Sequence, residues 1–191
     1  MAGRVLLASL LSAVLMFVWG FLFWGVLNFG GRFMQPLPAE LDVLASLRQS
    51  GAPSGMYVYP MPADMSKEGA AEEFDAKHLE GPILQMAYQA EGTKPMLPSK
   101  FAQGLGHYFA VALLTSCLLA LAARGLPSFA GRAMFVLLLS LLAAVWSNVG
   151  DAIWWFHSRE YCLGNMAYTM GAGLAMALVM AAIVRRDPDE A

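Results

Sequence analysis

Residues 5–28 read VLLASLLSAVLMFVWGFLFWGVLN, a stretch without a single charged side chain. Crossing about 30 Å of hydrocarbon takes roughly 20 helical residues at about 1.5 Å each, so this stretch alone is long enough to span a bilayer. Arg4 precedes it, as a base precedes a secretory signal. The apolar core is too long for a signal, however, and no small-x-small cleavage site follows, so the stretch reads as a retained span. Working outward, three more apolar segments qualify: His107–Ala123, Ala133–Trp155 and Leu163–Val184. The composition agrees, with 58% apolar and 14% charged residues. Soluble domains carry about 25% charged. The expected fold is a membrane all-α four-helix bundle, with a small α+β extracytoplasmic cap inserted between spans one and two.

The bases orient it. The short loop from Arg124 to Arg132 carries two arginines and no acid, and Arg185 and Arg186 close the last span. Bases prefer the cytoplasmic side, which predicts N-in and C-in, with residues 185–191 a cytoplasmic tail. The expected membrane is the bacterial inner membrane, with residues 29–106 extracytoplasmic, in the periplasm. The net charge of −2 and the lack of a basic stripe exclude a nucleic-acid partner. Cys117 and Cys162 form no CxxC pattern, which argues against thiol-redox or structural zinc chemistry.

Within the large loop, PAELDVLASLRQSG (38–51) spaces Leu41, Leu44 and Leu47 as a short amphipathic helix does. MYVYP (56–60) reads as a strand stopped by proline. SKEGAAEEFDAKHLEG (66–81) reads as a helix capped by Ser66, and PILQMAYQAEG (82–92) as a half-buried strand.

The segments VWGFLFWGVL (18–27), SGMYVYPMP (54–62), EGP (80–82) and KPMLPSKFAQG (94–104) resemble a family of small bacterial four-span inner-membrane proteins. The resemblance implies the topology above, with the insertion after the first span. It brings no activity and no catalytic residue.

The chemistry-bearing residues gather on the outer side. His107 at the start of span two, with His157 and Asp151 near the end of span three, form the candidate metal or catalytic set, since imidazole and carboxylate together suit zinc or copper. No pair has the i, i+4 spacing of HExxH, and residues 146–162, WSNVGDAIWWFHSREYC, read equally well as a wet corner rimmed by interfacial tryptophans. Spans one and four lack histidine, which argues against a bis-histidine haem. No span carries a central charge or a visible break, which argues against an ion-coupled transporter.

Small residues give the packing pattern. Ala167, Gly171 and Ala175, with Gly173 and Ala177 beside them, mark span four, and Ala112, Ser116 and Ala120 mark span two. Such strips let helix backbones approach closely, either inside the bundle or against another copy or a partner membrane subunit. The aromatic run of span one anchors it in lipid or lines a groove for a lipid tail or quinone. No cofactor is expected, the bilayer is the one certain partner, and a bound lipid fits the composition. The function expected is an accessory or assembly subunit of a membrane complex, or a lipid-binding module. The alternative is a membrane enzyme or metal-binding protein using His107, His157 and Asp151.

Overall fold

A computed structural model describes residues 1–38, 40–62, 64 and 66–185. Its elements run α1 (Ala2–Gly20), a π-helical stretch (Phe21–Val26), α2 (Gly30–Phe33), α3 (Glu40–Gln49), β1 (Gly55–Tyr59), α4 (Ala70–Glu80), β2 (Leu84–Tyr88), α5 (Pro98–Ala122), α6 (Phe129–Trp154) and α7 (Arg159–Ile183). Among the described residues four helices are long and apolar enough to cross a membrane, namely Ala2–Val26, Pro98–Gly125, Phe129–Trp154 and Arg159–Ile183. The chain divides into two compact units. One is the helical bundle, residues 1–35, 95–150 and 158 onward; the other comprises residues 36–94 and 151–157.

All four spans begin earlier than their apolar runs, the first at Ala2. Pro98 opens α5, where a missing N–H costs nothing, so His107 lies within the helix and not at its end. Ser158 caps α7 by accepting the Tyr161 N–H at 3.2 Å, and Glu160 follows in the first turn, where a negative charge suits the helix dipole. The polar corner is therefore short, because residues 159–162 are already helical. Helix α6 starts at Phe129, which places Arg132 inside it and not in the loop.

Arg132 is 7% exposed, yet its Nε and Nη1 donors are matched. Its Nε donates to the Ala181 carbonyl at 2.9 Å, and its Nη1 to the carbonyls of Leu126 at 3.1 Å and Pro127 at 2.7 Å. The Ala181 carbonyl is among the last four of α7, which have no intrahelical partner. One guanidinium thus ties the loop before α6 to the end of α7.

Helix α1 packs against both α5 and α7. It presents Ala8, Ser12, Met16 and Gly20 at four-residue steps, all buried, a small-residue strip hidden among the leucines. Across from it lie Ala112, Ser116 and Leu119 of α5, and Ala172, Met176 and Met180 of α7. In a bilayer, where lipid is as apolar as leucine, close van der Waals contact would drive this association and leave the leucines outside. Leu6, Leu10 and Leu114 are at least half exposed accordingly.

The first span is not regular to its end. After Gly20 it widens into the π-helical turn, and Asn28 takes φ 47°, a left-handed conformation Asn tolerates better than most residues. The Phe29 N–H then returns to the Phe23 carbonyl at 3.1 Å.

In the second unit β1 and β2 pair antiparallel, with Tyr57 opposite Met86. Helix α3 follows the leucine spacing, although the Leu41 side chain and residues 186–191 lie outside the described residues. Ser66 does not cap α4. The helix begins after Gly69 (φ 80°), and the Ser66 hydroxyl and amide both donate to Asp64, holding its carboxyl below the ordinary carboxylate range. A side chain that bonds its neighbour two residues back favours a turn over a helix cap. Cys117 and Cys162 are not joined by a disulfide.

Candidate functional site

All four spans contribute to a cavity of about 360 Å³ inside the bundle. Its walls include Met16 of α1, His107, Tyr108, Val111 and Thr115 of α5, Leu139, Ser140, Ala143 and Ser147 of α6, and Tyr168, Thr169, Ala172 and Met176 of α7. Sites for small molecules usually have about 300–1,000 Å³ and a mostly apolar lining with a few placed polar groups. This cavity meets both conditions.

The polar groups follow from helix geometry. Tyr108 lies ten residues from Pro98 and Tyr168 nine from Arg159, each roughly 14–15 Å along its helix at about 1.5 Å per residue. The two rings reach equal depth, and their hydroxyls hydrogen-bond to each other. Gly20 makes room for the pair, since a Cβ there would sit 2.8 Å from the Tyr108 oxygen and 3.2 Å from that of Tyr168. The Trp19 Nε1 donates to the Tyr168 carbonyl at 2.9 Å and fixes that turn of α7. Two hydroxyls joined by one bond leave one O–H to donate elsewhere. Thr115, Ser140 and Ser147 direct their own hydroxyls to carbonyls four residues back. The wall's remaining donors are then the tyrosine pair, Thr169 and His107.

Behind the pair stands an aromatic cluster. Phe23 is 4% exposed, with ring centroids of Phe29 at 4.7 Å, Trp24 at 5.1 Å, Tyr168 at 5.3 Å and Trp19 at 5.5 Å. The π-helical turn carries Phe23 and Trp24, and such turns recur at functional positions. The aromatic run of the first span is thus divided: Phe23 turns inward while Phe21 stays 52% exposed.

The expected metal set falls in two places. His107 belongs to the bundle, whereas Asp151 and His157 belong to the second unit. There His157 Nδ1 lies 3.9 Å from Asp151 Oδ2, and its Nε2 hydrogen-bonds the Gln85 carboxamide at 2.8 Å. Phe156, just before it, takes φ 57°, costly for a bulky residue, and the His157 N–H returns to the Asp151 carbonyl at 3.3 Å. Among the described residues no three His, Cys, Asp or Glu side chains come together as a metal-holding group.

The small-residue strips face neighbouring helices. A Cβ on Gly171 would lie 2.5 Å from Cε2 of Trp19, and one on Gly173 would overlap the Ser140 side chain. Ala112, Ser116 and Ala177 are fully buried, Ala120 and Ala175 partly so, and Ala167 is exposed.

The sequence reading overlooks Tyr108 and Tyr168. Their depth is the signal that finds them: a tyrosine well inside a span, away from the interfacial belt, must find a partner for its hydroxyl. Compared with family models, curated proteins and solved structures, the chain matches none.

Proposed function

We propose that the chain is a membrane-embedded binding protein that holds a lipid-soluble molecule in the bundle cavity. The observation that carries this reading is the cavity's mixed wall, apolar side chains from four helices around a tyrosine hydroxyl pair at mid-span. A hydrocarbon body meets the apolar wall, and a carbonyl or hydroxyl head accepts the donors at Tyr108, Tyr168, Thr169 and His107. A neutral amphiphile of the quinone class has this build. The protein would act alone or as an accessory subunit that holds such a molecule for a membrane complex. Purification from native membrane in mild detergent, then solvent extraction and mass spectrometry, tests it. One lipophile should be enriched near one per chain over its share of the bulk membrane. An extract with the bulk composition contradicts the reading.

The membrane we propose is the bacterial inner membrane, with both chain ends cytoplasmic and residues 36–94 outside. Arg4, Arg124, Arg132 and Arg185 at one end of the bundle support this. A cysteine at Gly125 should resist an impermeant thiol reagent in intact cells, and one at Gly92 should react. The reverse pattern inverts the topology.

A second reading, metal or enzymatic chemistry on His107, His157 and Asp151, draws on the proximity of His157 and Asp151. Stoichiometric zinc in the purified protein, lost together in His107→Ala and His157→Ala, would favour it. Zinc unaffected by either change would remove it.

A further inference from the structure

The bundle unit is charged unlike the chain as a whole. Its described bases are Arg4, Arg124, Arg132 and Arg185 at one end and Arg32, Lys100 and Arg159 at the other, against Glu160 as the single acid. The whole chain, by contrast, has a net charge of −2. Several of these bases are engaged. Arg132 and Arg4 donate to carbonyls, and Arg32 lies 4.6 Å over the Phe29 ring. Like Arg124 and Arg159, Lys100 has no side-chain hydrogen bond or ion pair among the described residues. It also sits in the first turn of α5, where the helix's own positive end is found and no acid balances it.

Lys100 stands at the rim of a second hollow, a groove of about 400 Å³ between the end of the first span and the start of α5. Phe17, Phe21, Phe101 and Tyr108 wall it, and Gly104 leaves it deep, since a Cβ there would meet only Phe17 at 3.9 Å. The groove is too small for another helix, which is about 10 Å across. It suits a single hydrocarbon chain, and the cation at its mouth complements a phosphate.

We propose that this groove seats one acyl chain of an anionic glycerophospholipid, with the phosphate on the Lys100 ammonium. In a bilayer the ammonium would reach the headgroup layer while its alkyl stem lies along apolar surface, as long basic side chains do. Tyr108 walls both this groove and the bundle cavity, yet the two sites take different chemistry: a charged headgroup at the rim here, a neutral hydrogen-bonding head within the bundle there. The proposal therefore stands whether or not the cavity binds a ligand.

Native mass spectrometry of the delipidated full chain tests it, with phosphatidylglycerol and phosphatidylcholine of identical chains supplied in equal amounts. The first lipid bound should be phosphatidylglycerol by roughly fivefold, the factor one basic side chain gives toward anionic lipid. Lys100→Gln should abolish the preference and Lys100→Arg keep it. Gly104→Leu should fill the groove and weaken first-site binding of both lipids, with unchanged helicity and melting showing that it folds. Ala143→Phe, in the bundle cavity, should leave the preference alone. A preference absent from the parent chain, one that survives Lys100→Gln, or binding untouched by Gly104→Leu overturns the proposal.

Discussion

Toward the Ala2, Ala122 and Ile183 ends, the bundle is closed by small and apolar side chains. Ala8, Ser9, Ser12, Leu119, Val136, Ala177, Met180 and Val184 all have no measurable exposure. Toward the Pro98, Trp154 and Arg159 ends, the same four helices part around a cavity of about 360 Å³, and the first span and α5 leave a groove of about 400 Å³ between them. Polar groups are used differently in the two halves. In the closed half Arg132 consumes loose carbonyls and serves packing. In the open half a tyrosine pair keeps a donor in reserve. The proposed binding role rests on this asymmetry, which puts the ligand in the open half.

Substitutions along the seams sharpen that contrast, and the largest effect belongs where helices touch most closely. Gly171→Leu should abolish recovery of folded monomer in mild detergent. Even a Cβ at this position would overlap the Trp19 ring, which is pinned by its bond to the Tyr168 carbonyl. Overpacking costs typically about 1–3 kcal/mol and here cannot relax by a ring swing. A variant with parental yield and melting would show that α1 and α7 are not in contact at Trp19.

Arg132→Ala should follow, at about 3 kcal/mol in denaturant titration. It removes charge-assisted bonds to three carbonyls, and bonds to charged groups contribute about 1.5–3 kcal/mol each before partial replacement by water. Arg132→Lys should recover less than half, because an ammonium cannot reproduce the guanidinium's fixed fork of donors. Full recovery would reduce the clamp to simple charge.

Much of this was legible in the sequence. The four apolar runs announce the spans, because nothing else tolerates so many consecutive uncharged residues. Gly171 and Gly173 announce close contacts, because small residues at four-residue steps have few other uses in lipid. Helix starts were less legible: Pro98, Phe129 and Arg159 open helices whose first turns are polar or lie outside the hydrocarbon, so hydropathy alone places them late. Arg132 looked like a loop base because its role depends on carbonyls distant in the chain. The tyrosine pair was missed for a similar reason. Each tyrosine reads as an ordinary membrane aromatic, and only the parallel run of α5 and α7, which start on the same side, brings residues 108 and 168 together.

Tyr168→Phe should cost about 1 kcal/mol in the same titration, the worth of one neutral hydrogen bond. It should weaken retention of a bound lipophile far more than it weakens the fold. If stability falls by several kcal/mol, the pair is structural glue and the contrast between the halves is lost. At the other extreme, Ser116→Ala should be neutral or stabilising by up to about 1 kcal/mol. Its hydroxyl is buried without a hydrogen-bond partner among the described residues, and removing an unsatisfied polar group relieves a desolvation cost. A clear loss of stability would reveal a polar role in the closed half.

The most direct test fills the cavity without touching the seams. Ala143 lines the cavity from α6 yet lies outside the close-packed core. Ala143→Phe should therefore place a ring where the ligand's body would lie. Bound lipophile per chain would be measured by extraction and mass spectrometry, alongside the melting temperature of the delipidated protein. A binding site predicts that the co-purifying molecule falls to background while the delipidated melting temperature holds or rises. An unchanged lipophile content in a normally folded Ala143→Phe protein would contradict the claim that the open half is a ligand site.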